Sequence, residues 1–470
     1  MQWCLLLLLL LLLLLLLLLR SGKWHLGARS NANLPINRGF DSHFGFLRGG
    51  EDHCTQTLSD GGLSLVDLWS DHAPAHGRNG SKACLAPTFS TTLYSTEAVR
   101  VVTAHDAAQG PLFLYLPFQV THSPYEIPAS YLNKSIDVAR ATYDAMVNIM
   151  DEAVGNLTKA LKEKEMWEDT LFIFSADNGG VYHSNQQGNN WPLRGQKTSS
   201  WEGGVRVTAF VWGGVNVIRD ASLRGTTNSA FIHIADWYAT LCTLVGVDPS
   251  DDGHKGDGVP SIDSIDQWSV LMKHSATPAD SVRVELPLAF CPPDNGKWTR
   301  GSDDCAPTDP AYNHDHSFVE EEVMIQVALV QVGGGPSLPA RNGALIQVAK
   351  DGKQAWKLMW GAQFGHGVYT GPLAPNGTAR VSNDVGCPTG CLYELLSDPT
   401  ESNDLSEQPK GATIFAAMVK RLSVIGTTQW QTNYSDVTDD ADCITDAQMK
   451  ARYGGWLGPV CGLSHGVVGN

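Results

Sequence analysis

Residues 111–120 (PLFLYLPFQV) are apolar almost without a break, and residues 170–175 (TLFIFS) repeat the pattern. Runs of this kind fit strands covered on both faces. Between them Ile136, Ala139, Tyr143, Val147, Met150, Val154, Leu157 and Leu161 recur three and four residues apart, which predicts an amphipathic helix of several turns. A third apolar segment, residues 205–212, precedes a helix-like stretch at 231–245. Strand, helix, strand in this order predicts right-handed crossovers and an α/β fold with a largely parallel sheet. Ligands of such sheets sit at the carboxyl ends of the strands. His122 and the Asp177-Asn178 pair each follow a strand end, so they are expected on one rim.

Beyond about residue 281 the pattern changes. Cys291-Pro292-Pro293 and residues 301–310 read as loop, and short alternating segments follow at 324–332, 344–348, 356–360 and 392–396. With a helix at 412–424 they predict a smaller antiparallel sheet carrying a covering helix. The expected division is a signal-like segment 1–21, a main α/β domain 22–290, a C-terminal subdomain 291–430, and an unassigned tail 431–470.

The chain has 470 residues and a formal net charge of −16, with no basic block, which excludes sequence-independent nucleic-acid binding. With 17% charged residues, 14 Trp and 47 Gly it is neither disordered nor a coiled coil. Residues 5–19 are all leucine, followed by Arg20, Ser21 and Gly22. As a helix the run would be about 22 Å long, short of the ~30 Å hydrocarbon core. It reads as the apolar part of a secretory signal without a basic n-region or cleavage site, the plainer alternative being a translated repeat. No later segment is apolar enough for a stable membrane span. Sequons at Asn79, Asn133, Asn156, Asn376 and Asn433, and ten scattered cysteines, fit a disulfide-bonded glycoprotein of the secretory pathway. Cys54 and Cys84 are candidates to close one surface loop; Cys387 and Cys391 lack the second pair that a zinc site needs.

Four short segments carry the chemistry. Lys23 and His25 in Gly22-Lys23-Trp24-His25-Leu26-Gly27 would point the same way on a strand. His122 lies in Thr121-His122-Ser123-Pro124. Asp177-Asn178-Gly179-Gly180 offers adjacent hard oxygen ligands suited to Ca²⁺ or Mg²⁺. Residues 190–197 (NWPLRGQK) bring Lys197, and residues 201–206 (WEGGVR) follow. Together these groups suit a tetrahedral oxyanion and the protonation of its leaving group. Each taken alone has a plain reading: solvated lysines, structural histidines, an ordinary Asp-Asn-Gly-Gly turn, and Arg194 or Arg206 as partner of a buried carboxylate. His233 and Asp236 read as a helical hydrogen bond, and residues 439–442 as a solvated acidic stretch. The joint reading rests on their order and their positions at strand ends.

GKWHLG, GFDSHFGFLRGGEDH, PLFLYLPFQVTHSP, MDEAVGNLTKAL, FIFSADNGG, NNWPLRGQK and WEGGVR resemble the type I sulfatases, most closely the arylsulfatase B (N-acetylgalactosamine-4-sulfatase) branch. The resemblance is strong over residues 22 to about 290 and weaker to about 425. It implies an alkaline-phosphatase-like α/β sandwich with a smaller C-terminal antiparallel sheet, residues 22–290 being part of the catalytic domain. It also implies hydrolysis of a sulfated small molecule or glycan. Asp177 and Asn178 would bind a divalent metal, usually calcium. Lys23, His25, His122 and Lys197 would contact the sulfate, with His25 near the nucleophile and His122 or Lys197 assisting the leaving group. A secreted or lysosome-like location follows by analogy.

The departure from the family pattern lies at the start. The family's nucleophile is a formylglycine made from Cys in Cys-x-Pro-x-Arg by a formylglycine-generating enzyme, and an Asp-Asp pair upstream completes the metal site. Both precede GKWHLG in the family, whereas here that segment follows the polyleucine directly. Cys84-Leu85-Ala86-Pro87-Thr88 does not fit the motif. Ser337-Leu338-Pro339-Ala340-Arg341 matches its serine form, but in a Gly/Pro-rich loop of the C-terminal region. A sheet without its early strand would also leave an unpaired edge. The leading expectation is therefore a sulfuric ester hydrolase whose displayed chain lacks the nucleophile. The alternatives are a catalytically dead, secreted glycan-binding relative, and a phosphatase or phosphodiesterase of the same superfamily.

Overall fold

The computed structural model describes residues 17–60, 63–132, 138–181, 187–250, 261–291, 342–349, 351–361, 387–428, 443–444, 446–459 and 461. They form two compact units, one of residues 17–170 and 443–461 and one of residues 171–428.

The first unit is built on a five-stranded mixed sheet of β1 (Leu17–Ser21), β2 (Ser42–Gly45), β5 (Trp69–Ser70), β6 (Ala73–Pro74) and β7 (Leu112–Tyr115), in the order β6-β5-β2-β1-β7. β1 runs parallel to both neighbours, with Arg20 opposite His43 on β2 and Tyr115 on β7. The end of the leucine run is thus a central strand. Any apolar residue suits a strand flanked on both sides, and Leu17–Ser21 takes that place in the sheet; leucines 5–16 lie outside the described residues. β7 forms one end of this sheet and is shorter and less buried than the run 111–120 predicts. Helix Ser90–Ala104 packs on β1, where Ser21 Oγ donates to Tyr94 O (3.0 Å). The expected long helix spans Val138–Glu163 and lies against it, burying Ala141, Ala145, Met146, Ile149, Ala153 and Leu157. A hairpin of β3 (Thr57–Asp60) and β4 (Leu63–Val66) lies outside the sheet.

The tail left unassigned by sequence joins this unit. Helix Asp446–Arg452 packs Met449 on Leu65, Trp69 Nε1 donates to Leu457 O (2.8 Å), and Trp456 enters the cluster of Phe44, Phe46 and Tyr94.

In the second unit β8 (Leu171–Ser175) pairs with β9 (Ala209–Gly213) as an antiparallel ribbon, which differs from the parallel arrangement expected for these segments. The reason lies in the connection: the described residues between them, 176–181 and 187–208, return as loop and one turn of helix, Glu202–Val205, and show no long crossover helix of the kind that parallel neighbours need. The C-terminal sheet agrees with expectation. β10 (Glu285–Cys291), β11 (Asn342–Val348), β12 (Ala355–Gly361) and β13 (Cys387–Glu394) are antiparallel throughout. Period-two alternation sends Leu345, Trp356, Leu358 and Leu392 against helix Pro409–Thr428. Ala344, Ile346, Ala355 and Met359 take the other face, where Trp201 plugs in fully buried. The helix expected at 231–245 covers Asp236–Leu244; His233 N donates to Asp236 Oδ2 (2.9 Å) just ahead of the helix, and Asp236 pairs with buried Arg283.

Cys54–Cys84, Cys387–Cys391 and Cys443–Cys461 are disulfides. Asn79 is half-buried and Asn156 exposed, while Asn133, Asn376, Asn433, Ser337, residues 439–442 and the strand expected at 324–332 lie outside the described residues. Among the described residues no helix is long and apolar enough to cross a membrane.

Candidate functional site

The six residues singled out by sequence divide between the units: Lys23, His25 and His122 in the first, Asp177, Asn178 and Lys197 in the second.

In the first unit the chain leaves β1 and threads between its neighbours. Gly22 N donates to Phe44 O (2.8 Å), Lys23 N to Pro117 O (2.9 Å), Trp24 N to Phe46 O (2.9 Å) and His25 N to Leu47 O (3.1 Å). The approach is close enough that a Cβ on Gly22 would stand 2.2 Å from Pro117 O, and one on Gly45 2.0 Å from Gly22 O. Lys23 and His25 therefore lie at the carboxyl ends of the parallel strands, though not as alternate residues of a strand. His25 is exposed and has φ 51°, in the left-handed region.

His122 follows β7 on a loop pinned from below by a polar cluster that sequence reasoning missed. His53 Nε2 donates to His122 O (3.0 Å), Gln119 Nε2 donates to Glu51 O (2.6 Å), and His53 N donates to Glu126 Oε2 (3.2 Å). His122 Nδ1–H donates to Ser123 O (2.7 Å), which leaves Nε2 as the basic nitrogen of the neutral ring. Burial drives the Glu51 carboxyl well above its ordinary range, outweighing hydrogen bonds from Tyr94 and Ser90. Burial lowers His53 to about 4, so its ring is neutral at pH 7. Glu126 is raised to about 7, first by burial and then by the neighbouring Asp52 carboxylate. Asp52, Cys54 and Glu126 bring ligand-type atoms within 4.8 Å of one another, but the Cys54 sulfur is committed to Cys84 and Asp52 Oδ1 accepts from Cys54 N, Thr55 N and Thr55 Oγ1. This group is a folded turn, not a metal site. The run Gly49-Gly50-Glu51-Asp52-His53 was its sequence signal.

In the second unit three segments interlock through glycine. Gly179 N donates to Gly204 O (3.0 Å), Gly203 N to Arg194 O (2.6 Å), and Asn190 exchanges hydrogen bonds with Gly180 (2.8 and 2.7 Å) and donates to Gly195 O (3.0 Å). A Cβ on Gly179 would fall 1.7 Å from Gly203 O, one on Gly204 2.4 Å from Gln196 O, and one on Gly195 2.4 Å from Trp201 Cβ. Only residues without a Cβ allow backbones this close. The packing fixes the turn that carries Asp177 and Asn178 and the loop that carries Lys197.

The Asp177 carboxylate is exposed, and Asn178 spends its Nδ2 on Gly179 O (3.0 Å), which keeps its amide oxygen for a ligand. Two adjacent hard oxygens at a strand end fit a calcium-type cation in kind, and they supply two of the roughly six to eight oxygens such an ion takes. The buried-carboxylate role weighed for the two arginines divides. Arg194 lies 3.7 Å over Trp201 and donates to Glu401 O (2.9 Å), while Arg206 stands 3.9 Å from Glu202 Oε2. Sequence reasoning passed over Lys357, Glu202 and Glu401, whose side chains meet in the core of this unit.

A sulfatase family model matches residues 20–247. The chain is similar to arylsulfatase J of Mus musculus, with 29% identity over 424 residues, covering 88% of this chain and 60% of the relative. It is also similar to N-acetylgalactosamine-6-sulfatase of Mus musculus, with 28% identity over 240 residues, covering 49% of this chain and 43% of the relative. Among solved structures, Ps i-CgsB in complex with k-i-k-neocarrahexaose superposes with a TM-score of 0.57 at 20% identity, covering 91% of this chain and 76% of that one. That likeness supports the α/β architecture with its alkaline-phosphatase-like fold. The chain thus spans about two fifths to three fifths of the length of these two relatives.

Proposed function

Because the chain is a member of the type I sulfatase family, we propose that its ligand is a sulfate ester, either an aryl sulfate or a sulfated sugar. Hydrolysis of that ester, in this reading, depends on a formylglycine segment that the 470 residues do not contain. The observation that carries the proposal is positional: all six candidate residues fall inside the matched residues 20–247, each just past a strand end or on the glycine-packed loop. Lys23, His25, His122 and Lys197 are the sulfate contacts. His25 lies toward the nucleophile, and His122 Nε2 or Lys197 handles the leaving-group proton. Asp177 and Asn178 are the metal ligands, for calcium, which would act as a Lewis acid on a sulfate oxygen.

A chain of net charge −16 repels an anion at long range. Recognition therefore falls to these local cations and the metal. The three disulfides support a secretory-pathway address, secreted or lysosome-like. The arylsulfatase B branch remains the proposed affinity within the family.

The test is direct. The purified chain, with and without Ca²⁺, is offered methylumbelliferyl sulfate and, separately, sulfated and unsulfated N-acetylgalactosamine. The expected result is no turnover, and binding of the sulfated sugar that weakens about tenfold when Lys197→Ala removes one charge-assisted contact. Equal binding of both sugars, or none, would sink the recognition reading. Turnover would overturn the dependence on the absent segment and direct attention to Ser337.

A further inference from the structure

The C-terminal sheet places a lysine where the hydrophobic pattern calls for an apolar residue. Lys357 sits on β12 between Ala355 and Met359, on the face that receives Trp201, and its side chain has no solvent exposure. Its Nζ lies 3.0 Å from Glu202 Oε1 and 2.8 Å from Glu401 Oε1, and both carboxylates are as deeply buried. An ion triad in such a setting is seldom kept for stability, because desolvating three charges costs about as much as their attraction returns. A more specific role follows from what the two carboxylates hold.

Glu401 Oε2 accepts the backbone N–H of Glu202 (2.7 Å), and the Glu401 carbonyl accepts Arg194 Nη1 (2.9 Å). Glu202 opens the single helical turn Glu202–Val205. From that turn Gly203 N reaches Arg194 O and Gly204 O receives Gly179 N, so the turn is bonded at once to the Lys197 loop and to the residue after Asn178. The glycine contacts leave this assembly little room to relax independently.

We propose that Lys357 is a positioning residue: from the C-terminal sheet it fixes, through Glu202 and Glu401, the backbone that presents Lys197 and the Asp177-Asn178 turn to ligand. This rests on the proposed site in its choice of what is positioned. The mechanical link itself stands on the hydrogen bonds above. It also assigns the C-terminal sheet a task in the site, although none of the candidate ligand-binding residues lies on it.

Amide hydrogen exchange on the full chain tests the link, for wild type, Lys357→Met, and the charge-free triple variant Lys357→Met/Glu202→Gln/Glu401→Gln. The triple variant guards against a single variant that fails to fold around two unpaired carboxylates. Exchange at Gly179, Gly203 and Gly204 should quicken about tenfold or more in whichever variant folds, while Leu345 and Leu358 in β11 and β12 stay within about twofold. Calcium affinity, read by titration, should fall about tenfold or more, as for loss of a group that orients a metal ligand. Unchanged exchange at the three glycines would overturn the proposal, and so would an equal rise across β11 and β12, which marks a merely structural lysine. If wild type binds no calcium and Asp177→Asn alters nothing, the metal reading fails, yet the exchange data still decide the role of Lys357.

Discussion

Replacing Arg20 by methionine should make the first unit more stable. Arg20 lies in the middle of β1, 2% exposed, where its Nη1 meets His43 Nδ1 at 3.0 Å and its guanidinium stands 5.0 Å from the Trp24 ring. Nε and Nη2 have no hydrogen-bond partner, and neither does His43 Nε2. Nε and Nη2 form the edge by which arginine grips a carboxylate, and among the described residues no carboxylate bonds to it. Burial lowers the Arg20 pKa by roughly three to four pH units from the ordinary guanidinium range, to about 9. At 1.36 kcal/mol per pH unit, that difference corresponds to a burial cost on the order of 5 kcal/mol at pH 7. At pH 7 the guanidinium stays charged, so there the cost is expressed as lost stability rather than as a neutral side chain. A cation–π contact and the packing of the aliphatic stem recover about 1–2 kcal/mol, and methionine restores most of that packing. The expected net gain is about 3–4 kcal/mol at pH 7, shrinking as pH rises through 9. The sign follows because a cation whose folded pKa is depressed leaves the unfolded chain binding more protons above about pH 9, so wild-type stability climbs there. Urea unfolding followed by tryptophan fluorescence, compared at pH 7 and pH 9.5, reads it. A destabilised Arg20→Met, or one within about 0.5 kcal/mol of wild type, would refute the reasoning, since either result requires a counter-anion on the free edge.

Three further outcomes follow from packing and charge. Gly179→Ala, with its Cβ 1.7 Å from Gly203 O, should cost about 2–4 kcal/mol or expel the Asn178 turn, read by thermal denaturation and by loss of calcium binding. Removing the Cys54–Cys84 bridge by double Cys→Ala substitution opens a loop of sequence separation 30, and loop entropy sets the loss at about 3–4 kcal/mol, read by urea denaturation. Glu126 has a folded pKa of about 7, above its unfolded value. Its protonated form therefore favours folding, and the stability it contributes falls as pH rises from about 4.5 to 7. Glu126→Gln should flatten that dependence, with melting temperatures at pH 5 and pH 8 moving closer together; an unaltered pH profile would show that Glu126 titrates normally.

The sequence was most legible where one periodicity dominated. Helix Val138–Glu163 and strands β11 and β12 lie close to where apolar spacing placed them, because the helix buries one continuous stripe and the strands are covered on both faces; β13 overlaps its expected segment but starts earlier. The β8–β9 ribbon was misjudged because an apolar run reports burial and says nothing of direction; direction is set by the connection, here a loop. Leu17–Ser21 was hidden because a leucine repeat carries no period at all. The candidate residues at strand ends could be named from order and type. Lys357, Glu202 and Glu401 could not, since a buried ion triad joins residues about 155 and 199 positions apart, and local sequence offers no signal for it. The glycines of residues 201–206 were visible as a motif, while their function as contact points between backbones appears only in three dimensions.

The first unit is discontinuous along the chain, and this bears on when it can fold. Trp69 and Leu65 find their partners Tyr453, Leu457 and Met449 only in residues synthesised after the whole second unit. During synthesis these apolar surfaces stay uncovered for about 384 to 388 residues of elongation, on the order of half a minute at ordinary ribosome speeds. The Cys443–Cys461 bridge, beside Arg29, is then among the last covalent steps available to the molecule. Nascent chains released early would carry a sticky first unit and a finished second one, a natural handle by which a folding compartment distinguishes complete molecules from fragments.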